Sequence, residues 1–241
     1  MTELISVTDT EDVCHIRLNR PDKMNALSSD LVEALLVAVD AAERRRCTVI
    51  ALQGEGRNFS AGFDFGSVEA QSEGDLLLRF VRLETLLHKL ASASALTIAF
   101  AHGKNFGAGV DLFGACHRRI STADATFRMP GLKFGLVLNT RRFSKVVGAD
   151  AAREILGKTR PFAADEGHRL GFVTSIAARE TWPEHVRAAI EDAKSLPASA
   201  RKLLHDAISN ERADQDLATL VRSASIPGLK DRIAAYLNPQ A

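Results

Sequence analysis

In the run Leu96-Thr97-Ile98-Ala99-Phe100-Ala101-His102-Gly103-Lys104-Asn105-Phe106-Gly107-Ala108-Gly109-Val110-Asp111, a continuous segment of strand length empties into a glycine-punctuated turn. An apolar run without alternation is expected of a strand covered on both faces. A helix is expected to begin at Gly107-Ala108-Gly109. Its first backbone N–H groups would then lack partners and could donate to a negative oxygen. The same arrangement occurs earlier, where Thr48-Val49-Ile50-Ala51-Leu52 leads into a loop over residues 53–66 punctuated by Gly54, Gly56, Gly62 and Gly66. Ligand sites in α/β proteins gather at the carboxyl ends of strands, so these two loops are where chemistry is expected.

Outward from these loops, the periodicity changes with the element. Val13–Leu18 alternates polar and apolar residues as a half-exposed strand does, and Asn19-Arg20-Pro21-Asp22 ends it. From Ser29 to Arg44 the apolar set Leu31, Ala34, Leu35, Ala38, Val39 and Ala42 marks one helical face. A second helix is expected over residues 75–91, with Leu76, Phe80, Leu83, Leu87 and Leu90 on a stripe and Glu84 on its flank. Short strands are expected over 119–122 and 126–128, then a loop over 129–139, and mainly helix beyond about residue 140, with one apolar run over 172–176. Alternating strands and helices followed by helices alone define an α/β class with a helical C-terminal portion. No Pro-, Ser- or Gly-rich linker separates the parts. The expected organisation is a core over residues 1–180 and a helical portion over 181–241 of the same domain.

The chain has 241 residues, enough to bury a large core without disulfide or metal staples. Apolar residues make up 46% and charged residues 25%, which excludes a disordered or fibrous chain. Thirty-one basic against 30 acidic side chains leave a net charge of +1, so the electrostatic footprint of a nucleic-acid binder is missing. Only 6% of residues are aromatic, and they include one Trp and one Tyr, which argues against a stacking platform. No basic-then-apolar leader or membrane-length apolar run is seen, so a cytoplasmic location without membrane association is expected. Cys14, Cys47 and Cys116 lack metal or redox spacing and read as small buried hydrophobes.

Several signatures fail on inspection. A dinucleotide fingerprint would need glycine where Leu112 stands, and a nucleophile elbow would need glycine at Asn58. The seven histidines show no metal spacing, so no metal site is expected.

Across nearly its whole length the sequence resembles the crotonase, or enoyl-CoA hydratase/isomerase, superfamily. The matching pieces run in order: Asn19-Arg20-Pro21, Asn25-Ala26-Leu27, the stretch Gly54 to Asp64, the stretch Gly103 to Asp111, and Ala125-Thr126-Phe127 to Pro130. They continue through Gly135-Leu136-Val137, Ala163-Ala164-Asp165-Glu166-Gly167, Leu170-Gly171-Phe172-Val173 and a C-terminal helix from Gly228 to Leu237. The resemblance implies a spiral of strand-strand-helix turns and an acyl-CoA thioester as substrate, with no other cofactor. It also implies that two backbone N–H groups hold the thioester oxygen as it becomes an enolate, and motif matching puts these donors on Phe63 and Ala108. Preorganised donors of this kind stabilise developing charge by about 3 kcal/mol each.

Family hydratases use two glutamates. Asp111 stands at the first position, one methylene shorter, and Gly131 stands at the second, where a glycine can neither activate water nor deliver a proton. Asp111 is therefore the first candidate for acid/base work. An Asp in the first turn of a helix is also favoured by the helix dipole without any catalysis. Glu84 is a second candidate, because the corresponding helix lines the acyl pocket in some relatives; a solvated helix face is the competing reading. Ala61, Asp64, Gly107 and Gly131 are expected at the substrate, with Asp64 capping or bracing the first loop. Lys23 is expected near the charged groups of CoA. Arg128, Arg141 and Arg142 could bind a substrate carboxylate. His117 stands where relatives often have Asp and receives no chemical role.

The expected reaction is enoyl-CoA hydration or isomerisation. A decarboxylase, a thioester hydrolase and a non-catalytic CoA-binding or assembly homologue stay open as alternatives. Relatives assemble as trimers or hexamers, and Ile233, Tyr236 and Leu237 form an apolar helix face that either a neighbour or the chain itself could cover.

Overall fold

A computed structural model describes residues 3–10, 12–209 and 212–238. Strands β1 (Ile5–Asp9) and β2 (Val13–Leu18) precede helix α1 (Ser29–Arg44), and β3 (Val49–Gly54) precedes α2 (Glu73–Ala91). Then come β4 (Leu96–Ala101), β5 (Lys104–Phe106), α3 (Ala108–Gly114), β6 (Arg118–Ser121), β7 (Thr126–Arg128), α4 (Thr140–Val147) and α5 (Ala149–Lys158). The remaining elements are β8 (Phe162–Ala163), α6 (Ala164–Arg169), β9 (Ser175–Ile176), α7 (Trp182–Lys194), α8 (Ala198–Ser209), α9 (Ala213–Ala224) and α10 (Leu229–Leu237).

A six-stranded sheet has the order β1-β2-β3-β4-β6-β9 and is parallel except at β1/β2. A smaller sheet, β5-β7-β8, stands beside it. The turns β4-β5-α3 and β6-β7-α4 each give one strand to each sheet before a helix follows, the strand-strand-helix spiral that the resemblance implies, and in the last turn α6 lies between β8 and β9. The main sheet separates two apolar layers by its period of two. Ile50, Leu52, Ala99 and Ala101 face the larger core with α1 and α2, whereas Val49, Ala51, Ile98 and Phe100 face α7 through Trp182, Val186 and Ala189. All three cysteines are buried, and burial pushes the thiols of Cys14 and Cys116 up to about 12.

Several elements differ from the sequence reading. Helix α2 starts at Glu73 because Ser72 and Asp75 form a reciprocal capping box. In the run 172–176, Phe172 and Val173 are buried core residues and only Ser175–Ile176 is strand. His117 has a structural role: the Thr97 amide donates to its Nδ1 at 3.1 Å, and its Nε2 lies 3.2 Å from the Ala91 carbonyl. Helix α10 covers its own chain. Ile233 is fully buried, Tyr236 packs on Phe65 and Phe134, and Leu237 stays exposed.

Candidate active site

The two glycine-rich loops meet over one cavity because glycine removes the atoms that would hold them apart. Gly62 adopts a left-handed φ of +84°, where a Cβ would overlap the Phe106 carbonyl oxygen and come within 3.0 Å of the Ala108 nitrogen. A Cβ on Gly109 would lie 2.5 Å from the Ser60 carbonyl oxygen. The first loop is itself pinned from beneath. Ser60 Oγ donates to the Asn25 carbonyl and accepts from the Gly62 amide, and Asn25 Nδ2 donates to the Glu55 and Asn58 carbonyls.

Accounting for the loop amides isolates particular donors. Ala61 donates to the Met24 carbonyl, Gly62 to Ser60 Oγ and Asp64 to the Leu27 carbonyl, which leaves the Phe63 N–H without an acceptor among the described residues. At the start of α3, Gly107 donates to the Arg128 carbonyl, and Val110 and Asp111 donate to the Gly107 carbonyl. The N–H groups of Ala108 and Gly109 are left without an acceptor among the described residues, and of these two residues Ala108 lines the cavity.

The cavity has a volume of about 90 Å³, and its wall is mostly apolar. Ala61, Phe63, Gly107, Ala108, Asp111 and Gly131 are brought together there, with Phe80, Phe134, Leu138, Thr140 and Tyr236 among the other lining residues. Among the described residues Asp111 is the one carboxyl on this wall. It is buried, and its Oδ1 has no hydrogen-bond partner among the described residues. Burial raises its pKa well above the ordinary 3.8; the Asn139 amide opposes this, the negative charge of Glu84 adds to it and the Arg142 guanidinium opposes it. Burial therefore favours the neutral form of Asp111.

The other candidates lie elsewhere. Glu84 is neither solvated nor on the cavity wall: it is buried and accepts from Arg142 Nη1 at 2.8 Å. On the flank of the α2 stripe it meets Arg142 of α4. Asp64 is not on the wall either; its Oδ2 pairs with Arg20 at 2.9 Å and its Oδ1 accepts from the Gly66 amide. Lys23 is exposed on the turn Pro21–Lys23 and does not line the cavity. The three arginines offered for a substrate carboxylate are engaged: Arg128 with the Thr159 carbonyl, Arg141 with both oxygens of Asp216, and Arg142 with Glu84. Tyr236 and Thr140 on the cavity wall were missed. Tyr236 is the only tyrosine of the chain, but its helical spacing says only that it has an apolar face to cover. No group of three or more His, Cys, Asp or Glu among the described residues could hold a metal ion.

A strand-strand-helix spiral whose two glycine-rich loops converge on a cavity, each leaving an amide unpaired, is the crotonase class of fold. The chain belongs to the enoyl-CoA hydratase/isomerase family, which matches it over residues 8–225. It is 33% identical over 214 residues to a protein of Mycobacterium bovis named probable enoyl-CoA hydratase, covering 84% of this chain and 83% of that one. It is also 33% identical over 224 residues to a Bacillus subtilis protein of the same name, covering 90% and 80%. A solved chain from Bordetella parapertussis that carries the enoyl-CoA hydratase/isomerase name superposes with a TM-score of 0.96 at 53% identity, covering 98% of this chain and 99% of that one.

Proposed function

We propose that this protein is an acyl-CoA enzyme that forms a thioester enolate between the N–H groups of Phe63 and Ala108 and uses Asp111 as its single proton carrier. The observation that carries the reading is the buried Asp111 carboxyl one helical turn from the Ala108 amide, on the same cavity wall. Each amide meets the oxygen on which charge develops, in surroundings too apolar to screen it. With an enoyl-CoA, water adds at Cβ while the Asp111 O–H gives its proton to Cα. The second Asp111 oxygen accepts the proton that the water loses, so the acid is regenerated and the net change is addition of one water. Lys23, exposed on the turn Pro21–Lys23, is the group proposed to meet the phosphates of CoA.

Decarboxylation is the second reading, favoured by the absence of another carboxyl on the wall among the described residues. Loss of carbon dioxide from a malonyl-type thioester generates the enolate without any base, and the neutral Asp111 then protonates Cα. A panel of enoyl-CoA and malonyl-type CoA esters, with product masses read for the wild type and for Asp111→Asn, separates the two. Water addition supports the first reading and a loss of 44 mass units, the mass of carbon dioxide, supports the second. Binding of CoA esters with no turnover of either class points to the non-catalytic homologue and overturns both.

A further inference from the structure

Five aromatic side chains in mutual contact line the cavity. Phe63 stacks on Phe80 with ring centres 4.4 Å apart and meets Phe65 edge-on at 5.1 Å. Phe65, Phe134 and Tyr236 then form a closed triad, with ring centres 6.0, 6.4 and 5.3 Å apart. Four of the rings come from the first loop, α2 and the turn Gly131–Phe134, and the fifth is brought by α10. Arg232 fastens that helix by donating to the Phe134, Ile226 and Pro227 carbonyls. Tyr236 follows it one helical turn later, on the same face.

Rings packed on one another yield little, because protein interiors are as dense as organic crystals. The space they leave, about 90 Å³, is smaller than the roughly 150 Å³ apolar cavity that takes up a benzene ring. In proportion it holds about four carbon atoms. Phe80 and Phe134 are backed by the core and keep 1% and 4% of their exposure, whereas Tyr236 is half-buried and part of it meets solvent. Truncating Phe80 or Phe134 would leave a void in the core; truncating Tyr236 opens the cavity outward. We propose that the cavity takes a short acyl group, of about four carbons, and that Tyr236 is the specificity-determining residue that sets this limit. The inference rests on the acyl-CoA reading of the site, not on the role of Asp111, and binding alone reads it.

The test is calorimetric binding of acetyl-, butyryl-, hexanoyl-, octanoyl- and benzoyl-CoA to the full chain, with folding checked by thermal melting. Butyryl-CoA is expected to bind tightest, and octanoyl- and benzoyl-CoA at least about tenfold more weakly, the effect of overfilling a packed cavity. In Tyr236→Ala the tightest ligand becomes hexanoyl-CoA or longer. Tyr236→Leu, which keeps an apolar side chain on α10 and so is the safeguard against misfolding, moves the preference the same way by less. Octanoyl- or benzoyl-CoA bound by the wild type as tightly as butyryl-CoA overturns the proposal. So does a chain-length profile that stays the same in both folded variants. Failure of every ester to bind would remove this proposal and the acyl-CoA reading together. The expected profile without turnover of any ester would remove the catalytic reading and support the size limit.

Discussion

The guanidinium carbon of Arg79 lies 4.0 Å from the ring centre of Phe63. The same side chain donates to the Asp64 carbonyl at 2.7 Å, so one arginine from α2 grips the first loop at Phe63 and at the residue after it. Arg79→Met keeps most of the apolar stem and removes both grips. The expected result is a tenfold or larger fall in kcat/KM for a CoA ester, about 1.4 kcal/mol, seen mainly in kcat. An unchanged kcat would show that Phe63 holds its place without Arg79.

Gly62 tests whether the loops must touch. Its φ of +84° and the overlap of any Cβ with the Phe106 carbonyl leave no room for a side chain. Gly62→Ala is expected to cost about 2 kcal/mol or more of stability and to abolish turnover. Thermal melting and kinetics check both, and an alanine variant with wild-type values would contradict the described contact.

A carboxyl with a raised folded-state pKa makes stability depend on pH in a definite direction. Between the unfolded value near 3.8 and the higher folded value, native Asp111 keeps a proton that the unfolded chain has released. Its stabilising contribution is therefore full below about pH 3.8 and lost as pH rises through the folded pKa. Asp111→Asn carries no such dependence. Its melting temperature relative to wild type should rise steadily as pH increases from about 4, and a difference that stays flat or falls would contradict the neutral Asp111.

Much of the fold was legible because it rests on local periodicity. The α1 boundaries and the β4 run follow from apolar spacing alone, and Ser28 supplies the cap that starts α1. Strand β5 was not legible: three residues, Lys104–Phe106, become strand only because β7 pairs with them in register. The loops of the site were readable from their glycines, since backbone approach requires glycine wherever it occurs. The partner of Glu84 was not, because Arg142 stands 58 residues later and reaches it only in the folded chain. The engagement of Arg141 by Asp216 has the same origin, 75 residues apart in sequence. Spacing reports which face of a helix is apolar; it does not report which distant charge lies across from its flank.

Gly131 offers a gain-of-function test. It lines the cavity, and a Cβ there would sit 3.2 Å from the Leu136 carbonyl oxygen, a distance that a few tenths of an ångström of movement relieves. Gly131→Glu places a second carboxyl on the wall. Enoyl-CoA hydration is expected to rise about a hundredfold, within the usual contribution of one general base. No gain in a folded variant would show that a second carboxyl is not what limits hydration here.

The most direct measurement of the Asp111 assignment is deuterium incorporation at Cα when a CoA ester is turned over in D₂O, compared between the wild type and Asp111→Asn with ligand binding measured in parallel by calorimetry. One deuterium at Cα in the wild type is expected, with turnover at least a hundredfold lower in the variant and binding of the CoA ester unchanged. Equal turnover by the two proteins would contradict the account.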